Sequence, residues 1–218
     1  FKGTQASIYK QIGNAVPPIL AYYLSTLVKP HLTGLNFVDL FAGCGGLSEG
    51  FLRTGRFNAL AHVEWEKPMV ETLRNRLVTK WNESEENAKK KVILFDIQKT
   101  EELINGNWSD ESIAQYGEHN SGKVRKSGLK GVIGNKLVDL IIGGPPCQGF
   151  SQKGKRLSVN DDRNFLFRQY VRFVEVFRPK FFVIENVPNI ISTANGYFKN
   201  EIIAAFSLLG YDVKADVF

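Results

Sequence analysis

The sequence predicts an α/β protein with a doubly wound, mostly parallel sheet, and three observations carry that reading. Short apolar runs of strand length alternate with longer segments of helical periodicity. The run at residues 138–142 suits a strand buried on both faces, as parallel sheets require. Each candidate functional cluster falls at the carboxyl end of a predicted strand, where open α/β sheets bind ligands.

The elements follow in order. Pro17 and Pro18 can open a helix, and the apolar residues after them extend it over residues 17–28. Residues 36–41 form a first strand and 47–53 a helix. Residues 59–64 form a second strand, 67–81 a helix, and 92–95 a third strand. The fourth strand, 138–142, precedes a helix at 164–177 with aromatic and aliphatic residues at helical spacing. A fifth strand covers 181–184, an amphipathic helix 197–209, and a sixth strand begins at Tyr211 and runs over 211–218. Residues 83–91 read as an exposed helix end or loop.

Residues 100–136 differ. They are polar, with turn formers at Asn105-Gly106, Gly117 and Ser121-Gly122, and carry Lys123, Arg125, Lys126 and Lys130. A solvated surface insertion is expected there, with a nucleic-acid contact as the alternative.

Bulk properties narrow the function classes. A length of 218 residues suits one large domain. No apolar run is long enough to span a bilayer, and the start carries neither an initiator Met nor a signal-peptide pattern. The expectation is a cytoplasmic chain that is not a complete gene product. The formal charge of +6 mildly favours a polyanionic partner. Two cysteines make no disulfide framework, and three scattered histidines make no metal site.

Four clusters can carry chemistry. In Phe41-Ala42-Gly43-Cys44-Gly45-Gly46, glycines permit a sharp turn close to a ligand, and the next helix offers free N–H groups. Such a turn serves a dinucleotide, a phosphate or S-adenosylmethionine equally well. Glu64 and Asp96 end the second and third strands, where carboxylates can accept from ribose hydroxyls and an adenine amino group; helix caps or surface charges are the alternative. Cys147 lies in the stiff loop Gly143-Gly144-Pro145-Pro146-Cys147-Gln148-Gly149-Phe150-Ser151. It reads as an accessible nucleophile or, equally, as a small buried hydrophobe. Glu185-Asn186-Val187-Pro188 ends the fifth strand; it offers a proton-handling carboxylate and a loop-holding amide, or a simple turn.

In this spacing the clusters resemble the DNA cytosine-5 methyltransferase family. The glycine turn is similar to its first motif, Pro145-Pro146-Cys147-Gln148 to its catalytic loop and Glu185-Asn186-Val187 to its acidic motif. Asp162-Arg163-Asn164-Phe165-Leu166-Phe167 and Gln11-Ile12-Gly13-Asn14-Ala15-Val16-Pro17-Pro18 resemble two more. The resemblance implies the methyltransferase type of sheet. It assigns the cofactor S-adenosylmethionine, leaving as S-adenosylhomocysteine, to Phe41, Gly43, Gly45, Glu64, Trp65, Asp96, Ile97, Pro145 and Leu166, with Asn14 and Val16 near the methionine end. Cys147 becomes the nucleophile and Glu185 the residue at cytosine N3. Gln148, Ser151, Lys153, Lys155, Arg156, Arg163 and Asn186 fall to the DNA side. The implied activity is methylation of a flipped cytosine in duplex DNA within a bacterial restriction-modification system, hence near the nucleoid. A tRNA methyltransferase and a non-catalytic S-adenosylmethionine-binding subunit are the rivals.

Two departures qualify the resemblance. The 11–18 motif, usually near the carboxyl end, comes first here, so that residues 1–30 read as a carboxyl-terminal-type segment placed at the front. A Gln-x-Arg-x-Arg motif, the final strand and a target-recognition domain do not follow Val213. The chain is then either shortened or one subunit of a two-chain enzyme. Alone, it is expected to bind S-adenosylmethionine weakly or moderately and to methylate DNA poorly.

Overall fold

The structure, a computed structural model, describes residues 1–29, 31–146 and 166–217. Its strands are β1 (Leu35–Leu40), β2 (Phe57–Glu64), β3 (Val92–Leu94), β4 (Leu140–Gly143) and β5 (Phe181–Ile184). They lie in the order β3-β2-β1-β4-β5. Strand β1 pairs parallel with β2 and β4, and β2 pairs parallel with β3. The predicted fold class holds, and the order reverses between β1 and β4, the switch point at which such sheets open toward a ligand.

The chain divides into two units. The first comprises Phe1–Gly143 and Pro179–Val183, the second Gly144–Arg178 and Ile184–Phe218. In the first, α1 (Gln5–Asn14), α2 (Pro18–Leu27) and α3 (Gly46–Arg53) precede α4 (Lys67–Trp81), α5 (Glu85–Lys91), α6 (Thr100–Asn105), α7 (Asp110–Tyr116) and α8 (Gly122–Ile133). Helices α2 and α3 cover one sheet face, where Ala21, Leu47 and Phe51 join Phe37, Phe57, Leu140 and Ile142 in a buried core. They pack backbone to backbone. A Cβ on Gly50 would stand 2.4 Å from Ala21 Cβ, so no side chain fits there.

In the second unit, α9 (Phe167–Phe177) packs on α10 (Tyr197–Leu208) through Tyr170, whose ring meets Phe206 edge-on at 6.0 Å. Arg178, in the left-handed region at φ 45°, ends α9, and its Nη1 donates to Leu209 O at 3.2 Å.

Three elements differ from expectation. Helix α1 was not anticipated; Thr4 caps it by accepting from Ser7 N at 3.3 Å. Residues 100–136 are not a solvated loop but three helices with buried Leu103, Ile104, Trp108, Val124 and Leu129. The glycines read as turn formers include one that serves a helix crossing: a Cβ on Gly106 would meet the Lys126 carbonyl carbon at 2.4 Å, and one on Gly128 the Ile104 O at 2.4 Å. The segment also closes an open sheet edge. Asn120 accepts from Leu94 N at 3.0 Å and donates to Leu94 O at 2.8 Å, standing in for a further strand beside β3. The expected sixth strand is not formed over 211–217. Alternating residues make a strand only against a neighbour's ladder, and Tyr211 N instead donates to Phe206 O at the end of α10.

Candidate active site

The first unit gathers its candidate residues at the carboxyl ends of β1, β2 and β3. A register shift between β1 and β2 decides which side chains face which way. Phe37 pairs with Ala59, but Val38 pairs with Ala61, so one residue of β2 is skipped. Side chains alternate along a strand, so the skip moves the even-numbered residues of β2 onto the face that carried the odd-numbered ones. His62 thereby faces Asp39, and Glu64 comes beside the turn after β1.

That turn is tightly specified. Phe41 adopts φ 59°, Gly43 56° and Gly45 92°, all left-handed. For Phe41 this costs on the order of 1 kcal/mol or more, and it persists because the surroundings over-determine it. Ala42 N donates to Val63 O and Gly45 N to Ala42 O, both at 2.9 Å. A Cβ on Gly45 would meet Leu73 Cδ1 at 2.5 Å, whereas one on Gly43 would meet nothing within 4 Å, so Gly43 borders open space.

Glu64 is the anchor. Its Oε2 accepts from Gly43 N, and its Oε1 from Trp65 N and Glu66 N, each at 2.8 Å. Burial pushes this carboxyl above its ordinary value, while the three backbone donors pull it back. Three of about four lone-pair positions are used, which leaves Oε2 one acceptor position. Beside it, Trp65 is 64% exposed rather than a core filler. Asp96 Oδ1 accepts from Gln98 N at 2.9 Å, and Ile97 is buried next to it.

The leading segment docks here too. A Cβ on Gly46 would stand 2.3 Å from Val16 O, so residue 46 admits only glycine while Val16 lies against the turn. Asn14 is exposed at the end of α1. The fastener is Gln11, which the sequence marks only as the start of the 11–18 motif. Buried, it donates to Lys2 O at 2.7 Å and Ser7 Oγ at 3.1 Å and accepts from Thr72 Oγ1 at 2.6 Å. Lys10 also pairs with Glu66 at 2.5 Å, beside Trp65.

The second unit holds the other group. Asn186 Nδ2 donates to Pro145 O at 3.1 Å, which ties the loop after β5 to the loop after β4. Glu185 Oε2 stands 2.9 Å from where a Cβ on Gly144 would be, so only glycine lets the carboxylate come this close. Desolvation raises the Glu185 carboxyl, with no hydrogen-bonded counter-group among the described residues. Leu166 immediately precedes α9. Cys147, Gln148, Ser151, Lys153, Lys155, Arg156 and Arg163 lie outside the described residues. No helix among the described residues is long and apolar enough to cross a membrane.

Comparison with known proteins gives one answer. The family model for C-5 cytosine-specific DNA methylases matches residues 35–107 and 111–218. Type II methyltransferase M1.HphI of Haemophilus parahaemolyticus is 34% identical over 204 residues, covering 91% of this chain and 45% of that protein. Type II methyltransferase M.DdeI of Desulfomicrobium norvegicum is 37% identical over 182 residues, covering 82% and 35%. A crystal structure of a prophage-encoded DNA modification methyltransferase from E. coli superposes with TM-score 0.52 at 31% identity, covering 80% of this chain and 38% of that one. The chain thus spans less than half the length of these relatives. Matched over most of its length and similar to such relatives, the chain belongs to the C-5 cytosine-specific DNA methylase family.

Proposed function

We propose that this chain is the cofactor-binding and nucleophile-bearing part of a DNA (cytosine-5) methyltransferase of a restriction-modification system, acting on a cytosine turned out of duplex DNA. The observation that carries the reading is the Asn186–Pro145 hydrogen bond, which couples the acidic loop to the loop that leads into Cys147.

The residues present fit S-adenosylmethionine. Glu64 has an acceptor position left for a ribose hydroxyl, and the exposed Trp65 an aromatic ring for a purine. Asp96 Oδ2 and the open side of Gly43 suit the adenine edge and the chain beside it. Pro145, Leu166, Phe41, Gly45, Ile97, Asn14 and Val16 complete the proposed set. When bound, the cofactor supplies an electrophilic methyl group on a sulfonium.

The protein's own work is on the base. Turning a cytosine out of the stack costs a few kcal/mol. The Cys147 thiolate adds to ring atom C6, which places charge on the ring and makes C5 nucleophilic. Glu185, whose carboxyl burial raises above its ordinary value, hydrogen-bonds or protonates N3 as that charge develops. Lys153, Lys155 and Arg156 are assigned to phosphates flanking the flipped base, and Gln148, Ser151, Arg163 and Asn186 to its surroundings. The leading segment 1–30 acts as part of the same domain, and target recognition falls to a part of the enzyme outside this chain, on a second chain or a further segment.

Trapping tests the reading. Duplex DNA carrying 5-fluorocytosine, with S-adenosylmethionine, should give a covalent adduct that Cys147→Ser abolishes. An adduct formed with tRNA but not with duplex DNA would move the substrate to tRNA, and no adduct with either, with the part that carries target recognition also present, would remove the catalytic reading.

A further inference from the structure

Beneath the glycine turn lies a buried polar cluster. Asp39 of β1, His62 of β2 and Ser48 of α3 are all at most 1% exposed. Ser48 Oγ donates to Asp39 Oδ2 at 2.5 Å and lies 3.3 Å from His62 Nδ1, which is itself 3.6 Å from Asp39 Oδ2. A hydroxyl has one proton. If it goes to Asp39, the pair with His62 needs the proton on Nδ1, and the chain runs His62 to Ser48 to Asp39. Asp39 Oδ1 and His62 Nε2 have no hydrogen-bond partner among the described residues. Three apolar side chains of similar volume would carry no such desolvation cost, so the cluster is a poor device for stability alone.

Its position suggests another purpose. Asp39 lies two residues before Phe41 on β1, His62 two before Glu64 on β2, and Ser48 two after the first residue of α3. The register shift that aims Glu64 at Gly43 is the same one that sets His62 opposite Asp39. The cluster therefore joins three supports of the turn at 41–46: the strand that enters it, the strand that supplies its anchor and the helix that leaves it. We propose that Asp39, Ser48 and His62 are positioning residues that hold the glycine turn and Glu64 in cofactor-binding geometry without touching the cofactor. This rests on the cofactor assignment made above.

The test is equilibrium binding of S-adenosylhomocysteine to the full chain by calorimetry, together with hydrogen exchange in its absence. Ser48→Ala and His62→Leu should each weaken binding about tenfold, the scale on which outer partners of a binding site act. His62→Asn, whose amide stands where Nδ1 stands, should recover most of it. Without ligand, the Gly43 and Gly45 amides should exchange faster in the weakened variants, with the change confined to residues 41–46. Unchanged affinity alongside a lowered Tm, or exchange rising evenly over β1 and β2, overturns the proposal. If the unaltered chain does not bind S-adenosylhomocysteine, the cofactor assignment falls, and the exchange pattern still decides whether the cluster holds the turn. Should Ser48→Ala fail to fold, the two His62 variants carry the comparison.

Discussion

Glu64 ends one sheet strand and Glu185 follows another, yet their surroundings act on the two carboxyl groups differently. Glu64 sits in a cradle of three backbone N–H groups, which fix its two oxygens as acceptors and leave one position for a ligand. Glu185 is desolvated against Gly144 without a donor among the described residues, so its carboxyl is raised and suited to giving a proton. Glu49 is a third case. Burial works against its charge, but Arg76, Trp81 and Arg53 outweigh it and hold the carboxyl at about 2. The same carboxyl group is held as an acceptor, raised by desolvation or fixed as an ion according to the hydrogen atoms aimed at it.

Three substitutions, one of them read in two ways, would break or sharpen this comparison. Glu185→Gln should have the largest effect, lowering the methylation rate about 10²- to 10⁴-fold, the range for a lost general acid. S-adenosylhomocysteine affinity, read by calorimetry, should stay near that of the unaltered chain; equal losses in rate and affinity would show the residue to be a cofactor support instead. In pH profiles the unaltered rate should fall as pH rises through the raised Glu185 value, because the donor is then ionised.

Glu64→Gln sets an amide N–H against at least one backbone donor. It should destabilise the chain by about 1–3 kcal/mol in urea unfolding, and weaken S-adenosylhomocysteine as well. A variant as stable as the original would mean that the cradle carries little.

Glu49→Gln should cost roughly 2 kcal/mol at neutral pH, discounted because its two guanidinium partners are near half exposed. A lowered folded value gives stability that is present above the ordinary value of 4.5 and lost as pH falls toward about 2. The gap between variant and original should therefore close across that window, as measured by urea midpoints.

The smallest expected effect has the opposite sign. A raised folded value contributes stability below the ordinary carboxyl value of 4.5 that is lost as pH rises through the raised value. Glu185→Gln should therefore unfold at a slightly higher Tm than the original near neutral pH, with the difference gone in acid. A lower Tm would reveal a stabilising partner for that carboxylate.

Sequence patterns located much of this. The helix at 67–81 and the strand at 181–184 were legible to the residue, because proline entry, helical spacing and an apolar run are local signals. The glycine turn, Glu64 and the loop before Cys147 were legible because tight turns at strand ends need special residues. In residues 100–136 Gly106 looks like turn chemistry until the partner backbone at residues 126–128 is known, because it serves a helix crossing. Gln11 was passed over because a buried glutamine has no local signature. Its partners Lys2 and Thr72 are 9 and 61 residues away.

By itself, the sequence determined the alternation of strands and helices, the turns that only glycine and proline permit, and which residue types stand after each strand. Those are properties of neighbouring residues and of side-chain chemistry. Tertiary structure alone decided what each polar group does. A one-residue skip between β1 and β2 turned His62 and Glu64 toward Asp39 and Gly43. No local pattern encodes that skip, because register belongs to the pairing of two strands and not to either one.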